Sequence, residues 1–575
     1  MRELAIIGVG PRGLSALENL CIEIAKTKEH KKIQITLFEP SEVPATGTAW
    51  NINQSDTNWL NITERALKNL QGRPAIYLNG FSIPPFPSYT DWLPIEEQNP
   101  PEDAPDQFPP RRKLGNYLNL RFESIFIVLE KAKLAILINT KILTVDFKQN
   151  KFLIKDTNDI NYQFNEIVLT IGHQPTTLSD QLQQWKKHAT HHHLDLFTNP
   201  YPVKNILHTS ISSPDTCIGI RGFGLAMIDV MRALTIASGG SFTITNEKTL
   251  QCTYNPGRNT TRCIIPFSLD GNPMVPKPIN ATIDKWFTPT DSEIKTFGYL
   301  IREVAQGSQK VFDIQFLKNA IATIAVRIYK DLGKKSVPHN IDVSEISGII
   351  IKWLTDEKHQ DQLIQPIDNP PSVNIEAYIN MALGKVPISL DYCIGQVWRH
   401  CQPTLYKEFS HPRLTDEIIQ DVISLDERIK RYSYGPPVES MQQVIALVKA
   451  NILRLDFVDN PDIRLISEGW KLQSGEEEQI VQVMVNSVLD PPQLLEVKSS
   501  VVKNLLSNDI IAPMHSELGI HTRSDGCVIL PNEAESIPLS VLGRLAKGSV
   551  IGVDAILECF GSRIEQWAES AVERI

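Results

Sequence analysis

The chain reads as an α/β protein, and three observations predict it. A strand, a glycine turn, a helix, a second strand and an acidic residue open the sequence in that order. A second strand–glycine turn–helix unit lies at 217–229. Between about 286 and 485 the pattern turns mainly helical. Together these describe a Rossmann-like domain, a second Rossmann-like domain and a large helical insertion.

The first unit starts with the apolar run Leu4-Ala5-Ile6-Ile7, followed by Gly8-Val9-Gly10-Pro11-Arg12-Gly13. The spacing predicts a buried strand, then a helix from Pro11 with Leu14, Leu17, Leu20, Cys21 and Ile24 on one side. Such a turn suits a dinucleotide. One glycine permits the sharp turn, one lets a pyrophosphate touch the backbone, and one lets helix and strand pack closely. The helix N-terminus offers free N–H groups and a positive dipole end, and Pro11 is tolerated in its first turn. A second strand, Ile33–Phe38, follows the loop Lys26–Lys32 and ends at Glu39, 26 residues after Gly13. An acid there grips a ribose hydroxyl and favours FAD or NAD over NADP. The alternative is a glycine turn in an ordinary β-α-β unit, with Glu39 a surface carboxylate.

Composition sets the frame. With 575 residues, 42% hydrophobic and 21% charged, the chain is an ordinary globular protein of two or more folding units, or one domain with large insertions. It has 57 basic and 66 acidic residues and a net charge of −9, without a long basic run. Nucleic acid and anionic membrane are not expected as main partners. The N-terminus enters the first strand at once, so no signal peptide is expected. No apolar stretch approaches the roughly 20 residues that span a bilayer. The eight cysteines include no C-x-x-C pair. That spacing argues against zinc, an iron–sulfur cluster and a vicinal redox disulfide, and suits a reducing cytoplasm. His191-His192-His193 invites a metal, but its polar surroundings, with Asp195 the one nearby carboxylate, favour a solvated loop.

From about Val43 to Pro110 the sequence is loop-rich, with Trp50, Trp59, Phe81, Tyr89 and Trp92. We read a segment that wraps a bound cofactor. A helix is expected over 111–133. Hairpin strands follow at 142–147, 151–154 and 162–164, then a buried strand from Glu166 ending at Gly172-His173. His173 is either a proton carrier near the ligand or a hydrogen-bonding turn residue. In the second unit, Gly222-x-Gly224 is followed by Met227 where a small residue belongs, and Asp229 enters the helix. This is either a second nucleotide site or a structural copy of the fold. Helices are expected at 317–332, 416–423 and 441–453, a strand at 481–485 and a final helix at 553–572.

Several motifs together resemble one family. They are G-V-G-P-R-G-L at 8–14, F-E-P at 38–40, G-T-A-W at 47–50, L-N-I at 60–62, P-P-R-R-K-L-G-N-Y-L at 109–118, T-I-G-H-Q-P at 170–175, I-R-G-F-G-L-A-M-I-D at 220–229 and Y-G-P-P at 434–437. The chain resembles the bacterial FAD/NAD(P)-binding flavoproteins of the two-dinucleotide-binding-domain class, distant relatives of the flavin-dependent N-hydroxylating and Baeyer–Villiger-type monooxygenases. The likeness is strong over the first 230 residues. It implies FAD held by Gly8, Gly10, Pro11, Arg12 and Gly13, with Glu39 and Pro40 at the ribose and Thr48, Asn61 and Gly172 near the flavin. It implies that Arg111 or Arg112, with Tyr117, borders the flavin pocket. NADPH or NADH is the reductant it implies for Gly222 and Gly224. The Baeyer–Villiger fingerprint is absent.

The resemblance also implies a discontinuous FAD domain made of 1–205 and the returning segment 486–575. Residues 206–285 then form the second dinucleotide-binding-like domain and 286–485 the insertion. The activity it implies is an FAD-dependent oxidoreductase, monooxygenase-like, acting on a small amine or amino acid. Asn61, Arg111, Arg112 and His173 are the candidate catalytic residues. The alternatives are an FAD-dependent dehydrogenase or oxidase of a metabolite, and a flavin-binding interaction protein that turns nothing over.

Overall fold

The computed structural model describes residues 2–27, 33–78, 80–208, 215–258, 263–489, 493–531 and 537–574. Residues 28–32, most of the Lys26–Lys32 loop, lie outside the described residues. In chain order, the strands of the two parallel sheets are β1 (Arg2–Ile7), β2 (Ile33–Phe38), β3 (Ala135–Ile138), β4 (Glu166–Leu169), β5 (Asp195–Phe197), β6 (Cys217–Arg221), β7 (Cys263–Phe267), β8 (Val483–Asn486) and β9 (Leu539–Val541). The helices that matter here are α1 (Pro11–Lys26), α2 (Arg111–Lys131), α3 (Asp180–His192), α4 (Leu225–Ala237), α5 (Val438–Lys449) and α6 (Ser562–Glu573).

The first sheet has the order β9-β4-β1-β2-β3 and is parallel throughout. Its strands are apolar on both faces, as a sheet covered on both sides requires. Leu4 and Ile6 pack against α1, α2 and α6 through Leu17, Leu118 and Trp567. Ala5 and Ile7 pack on the other face against the hairpins, through Phe152 and Ile154, and against Val541. The last ninety residues therefore contribute a strand and a helix to the N-terminal sheet. The second sheet, β5-β8-β6-β7, is also parallel. One side packs into the large helical core through Ile218 and Ile220, the other, through Ile265, Phe267 and Met484, against Trp185 and Trp470.

Several expectations are corrected. Strands β5 and β8 belong to the second sheet, although the expected boundaries put 195–197 in the first unit and 483–485 in the insertion. Antiparallel strands at Asp462–Ile466, Gly469–Ser474 and Glu477–Val481 precede β8. The final α-helix begins at Ser562, not 553, because 553–556 form a turn tied down by tertiary bonds, among them Arg12 to the Val553 carbonyl. His191 and His192 are not in a loop: they close α3, and His193 caps it at a φ of 55°. Among the described residues there is no group of three His, Cys, Asp or Glu suited to a metal. Cys217 and Cys263, paired in register on β6 and β7, form a disulfide that their separation of 46 residues did not suggest. No described helix is long and apolar enough to cross a membrane.

The 43–110 segment is held by a buried charge cluster. Glu18 of α1 accepts from Arg73 at 3.1 Å and from Arg121 of α2 at 2.8 Å, all three side chains nearly inaccessible. Burying these charges is tolerable because each is paired and hydrogen-bonded. Tyr89 and Trp92 pack edge-on against Tyr117, so part of the aromatic set serves the core instead of covering a ligand.

Candidate cofactor and substrate site

One cavity of about 890 Å³ runs from the carboxyl end of the first sheet to α4 of the second unit. It lies in the upper part of the size range of small-molecule and cofactor sites, roughly 300–1,000 Å³. Gly8, Gly10, Pro11, Arg12, Glu39, Pro40, Thr48, Asn61, Arg111, Gly172 and His173 all line it. Gly13, Arg112, Gly222 and Gly224 do not reach it, and neither does Tyr117.

The three glycines of the first turn differ in what surrounds them. Gly8 has a φ of 91°, and a Cβ there would lie 2.8 Å from the Ile171 Cα. A Cβ on Gly13 would lie 2.5 Å from the Gly8 carbonyl oxygen, so this glycine serves helix–strand packing. A Cβ on Gly10 would meet only the Gly47 Cα at 3.8 Å and otherwise open space. Gly10 is therefore the position where a ligand can touch bare backbone, next to the N-terminus of α1. Glu39 is buried at the end of β2. It accepts the Val9 N–H at 2.7 Å and the Ser41 N–H at 2.9 Å, one on each carboxylate oxygen. Burial pushes its pKa up, against the pull of those two N–H groups. Each oxygen keeps a lone pair for a ribose hydroxyl. A glycine open to the cavity and a carboxylate held by backbone donors fit the adenosine diphosphate part of a dinucleotide.

The far wall is polar and was not legible as a unit. Arg111, at the start of α2, donates through Nε to the Trp59 carbonyl at 3.1 Å. Its Nη2 donates to Tyr201 Oη at 3.0 Å and Asp229 Oδ2 at 2.7 Å. Tyr201 in turn donates to Asp229 Oδ2 at 2.7 Å. Burial, then the Asp229 charge, drives the Tyr201 pKa up, so its proton stays. Arg232, one turn along α4, stacks on the Trp59 ring at 3.8 Å and donates to Gln443 and Ser440 of α5 and the Thr57 carbonyl. Trp59, Tyr201, Asp229, Arg232 and Ser440 all line the cavity. Arg112 instead points outward and pairs with Asp56, both about half exposed. Tyr117 donates to the Pro87 carbonyl inside the first core.

The second glycine turn is built differently from the first. Gly222 has a φ of 119° and lies against Ser487, while Gly224 caps α4. Met227 is 1% exposed and packs in the large core. Leu225, Ile228, Asp229 and Arg232, not the glycines, present α4 to the cavity.

A family model described as FAD-NAD(P)-binding matches residues 5–174. That segment is an FAD-NAD(P)-binding domain. The chain is also 28% identical over 248 residues to nitrosuccinic acid synthase npaA of Aspergillus oryzae (strain ATCC 42149 / RIB 40), a match covering 42% of this chain and 36% of that protein. It is 24% identical over 267 residues to the L-aspartate N-monooxygenase (nitrosuccinate-forming) of Streptomyces davaonensis (strain DSM 101723 / JCM 4913 / KCC S-0913 / 768), covering 42% of this chain and 40% of that one. The matched part thus spans less than half the length of either relative. Among solved structures, OTEMO in complex with FAD and NADP aligns over 99% of this chain and 84% of that one, at 11% identity and a TM-score of 0.41. Open cyclohexanone monooxygenase aligns over 100% of this chain and 89% of that one, at 12% identity and a TM-score of 0.43.

Proposed function

We propose that this chain is an FAD-dependent monooxygenase-like oxidoreductase acting on a small amine or amino acid. The observation that carries the reading is the single cavity joining the Gly10–Glu39 end, fit for a dinucleotide, to a second polar wall built by Arg111, Tyr201 and Asp229. The match to relatives named as a nitrosuccinic acid synthase and an L-aspartate N-monooxygenase supports the same direction. FAD bound here would supply hydride acceptance from NADPH or NADH and oxygen transfer from O₂ to a nucleophilic nitrogen. The protein's share is binding and placement. Gly8 and Gly10, with the N-terminus of α1, would hold the pyrophosphate, Gly13 lets that helix pack on β1, and Glu39 would hold the ribose. Thr48, Asn61, Gly172 and His173 line the same cavity and would border the ring, and the Arg111 wall would orient the substrate.

The same reading takes 1–205 with 486–575 as the flavin-binding unit, supported by β9 and α6 packing on the first sheet. It takes 206–285, joined by β5 and β8, as the second unit. It places the protein in the cytoplasm with a small-molecule substrate; the six other cysteines are free and buried. The test is oxygen uptake by the FAD-loaded protein with NADPH or NADH, in the presence and absence of L-aspartate and simple amines. Amine-dependent uptake with an N-oxygenated product is expected. Bleaching of the flavin with no amine dependence would favour a dehydrogenase or oxidase. Tight FAD with no reduction by either nicotinamide would favour a partner protein.

A further inference from the structure

We propose that Arg111 seats a carboxylate of the substrate, so that this site takes acid-bearing molecules in preference to neutral or dicationic amines. The inference rests on the reading above for the identity of the cavity as a substrate site. It starts from a count of donors. Arg111 spends Nε on Trp59 and Nη2 on Tyr201 and Asp229. Its Nη1 has no hydrogen-bond acceptor among the described residues, and the side chain, 18% exposed, lines the cavity. Every nitrogen of Arg232, by contrast, already donates to protein.

Charge points the same way. Asp229 is shared between the Arg111 and Arg232 guanidinium groups, and the Glu439 carboxylate of α5 balances Arg232, so Arg111 has only a shared carboxylate beside it. A buried cation with an unfilled donor strongly favours an anionic partner. The guanidinium is also fixed before any ligand arrives. Tyr201 and Asp229 hold one edge, the Trp59 carbonyl holds Nε, and the Tyr201 ring lies 4.9 Å from its central carbon. Pre-fixed donors lose little entropy on binding. A carboxylate, carrying a single charge on the group that meets Arg111, fits better than a phosphate, because Asp229 on the same guanidinium repels two charges held on one centre.

The test uses the FAD-loaded full chain and equilibrium calorimetry without turnover. The probes are L-aspartate, succinate, 1,4-diaminobutane and NADP⁺. Succinate carries the acid but no amine, so its binding reports on Arg111 even if no amine is ever oxidised. We expect the two acids to bind and the diamine to bind far more weakly. Arg111→Gln should weaken both acids roughly 30-fold or more while FAD content is kept. Arg111→Lys preserves the charge beside Asp229 and guards against misfolding; it should also weaken the acids, because the fixed Nη1 edge is lost. Arg302→Gln, on the outer surface beside Glu408, should leave affinity unchanged. The proposal is overturned if neither acid binds wild type, if both Arg111 variants that retain FAD bind them as wild type does, or if only NADP⁺ loses affinity. Amine oxidation that ignores Arg111 would overturn this assignment and leave the proposed activity standing. Succinate binding lost in Arg111→Gln, without any amine oxidation, would do the reverse.

Discussion

Arg12, in the first glycine turn, donates from Nη2 to the Val553 carbonyl at 2.7 Å, across 541 residues of sequence. That bond ties the ligand-facing turn to the chain's last segment, which also supplies β9 beside β4 and α6 against α1. Removing everything after Asn486 should therefore do more than shorten the protein. It exposes the β4 edge and the apolar face of α1. We expect the truncated chain to lose FAD and to aggregate, read by gel filtration and visible flavin absorbance; a monomeric, FAD-replete product would contradict this.

Glycines of the first turn should separate in their effects. Gly10→Ala adds a methyl that meets nothing closer than 3.8 Å, so apo-protein stability should change by less than about 0.5 kcal/mol. The same methyl projects into the cavity and should weaken FAD binding about tenfold or more. Gly13→Ala drives a methyl to 2.5 Å from the Gly8 carbonyl and should cost roughly 1–3 kcal/mol of stability. Denaturant melts of the apo-protein and FAD titrations check the pair together.

Lys277 gives a pH prediction. Its Nζ donates to the Asn61 carbonyl at 2.5 Å and the Gly435 carbonyl at 2.6 Å, and it forms no ion pair among the described residues. Burial first, then the Arg399 charge, lowers its pKa from 10.5 to about 7. Between those values the unfolded chain holds a proton that the folded chain has released. Stability then rises with pH across about 7 to 10.5, by up to about 1.4 kcal/mol per pH unit from this group. Lys277→Met should remove that component of the slope. An unchanged slope in the variant would contradict a buried, proton-releasing lysine.

The second glycine turn should contribute little to reduction. Met227 fills the core behind α4, and Asp229 is engaged by Arg111 at 2.7 Å. We expect slow flavin reduction by free NADPH or NADH, and no loss of FAD in Gly224→Ala. Stopped-flow reduction that is fast, saturable and abolished by Gly224→Ala would show the turn to be a nicotinamide site.

Local signals carried much of this architecture. The alternation of apolar runs and glycines placed β2 at Ile33–Phe38 and the start of α1 at Pro11, because both elements are set by neighbours in sequence. Gly10 and Glu39 were readable for the same reason. The polar wall was not. Arg111, Tyr201, Asp229 and Arg232 come from three separate parts of the chain, and no spacing rule pairs residues 118 positions apart. Arg111 and Arg112 look alike in sequence, yet one helical step sends the first to Asp229 and the second to solvent. The Cys217–Cys263 link needed the parallel register of β6 and β7. The last helix was placed early because residues 553–560 contain no glycine or proline to stop it, and only tertiary bonds reveal the turn.

The most direct test of the account is an FAD titration of the apo-protein, wild type beside Glu39→Ala, with NAD⁺ as competitor. The account predicts one FAD per chain, a bound flavin spectrum, clearly weaker binding in Glu39→Ala, and no displacement by NAD⁺ at equal concentration. Absence of FAD binding by the wild type, or occupation of the same site by NAD⁺ instead, would contradict it.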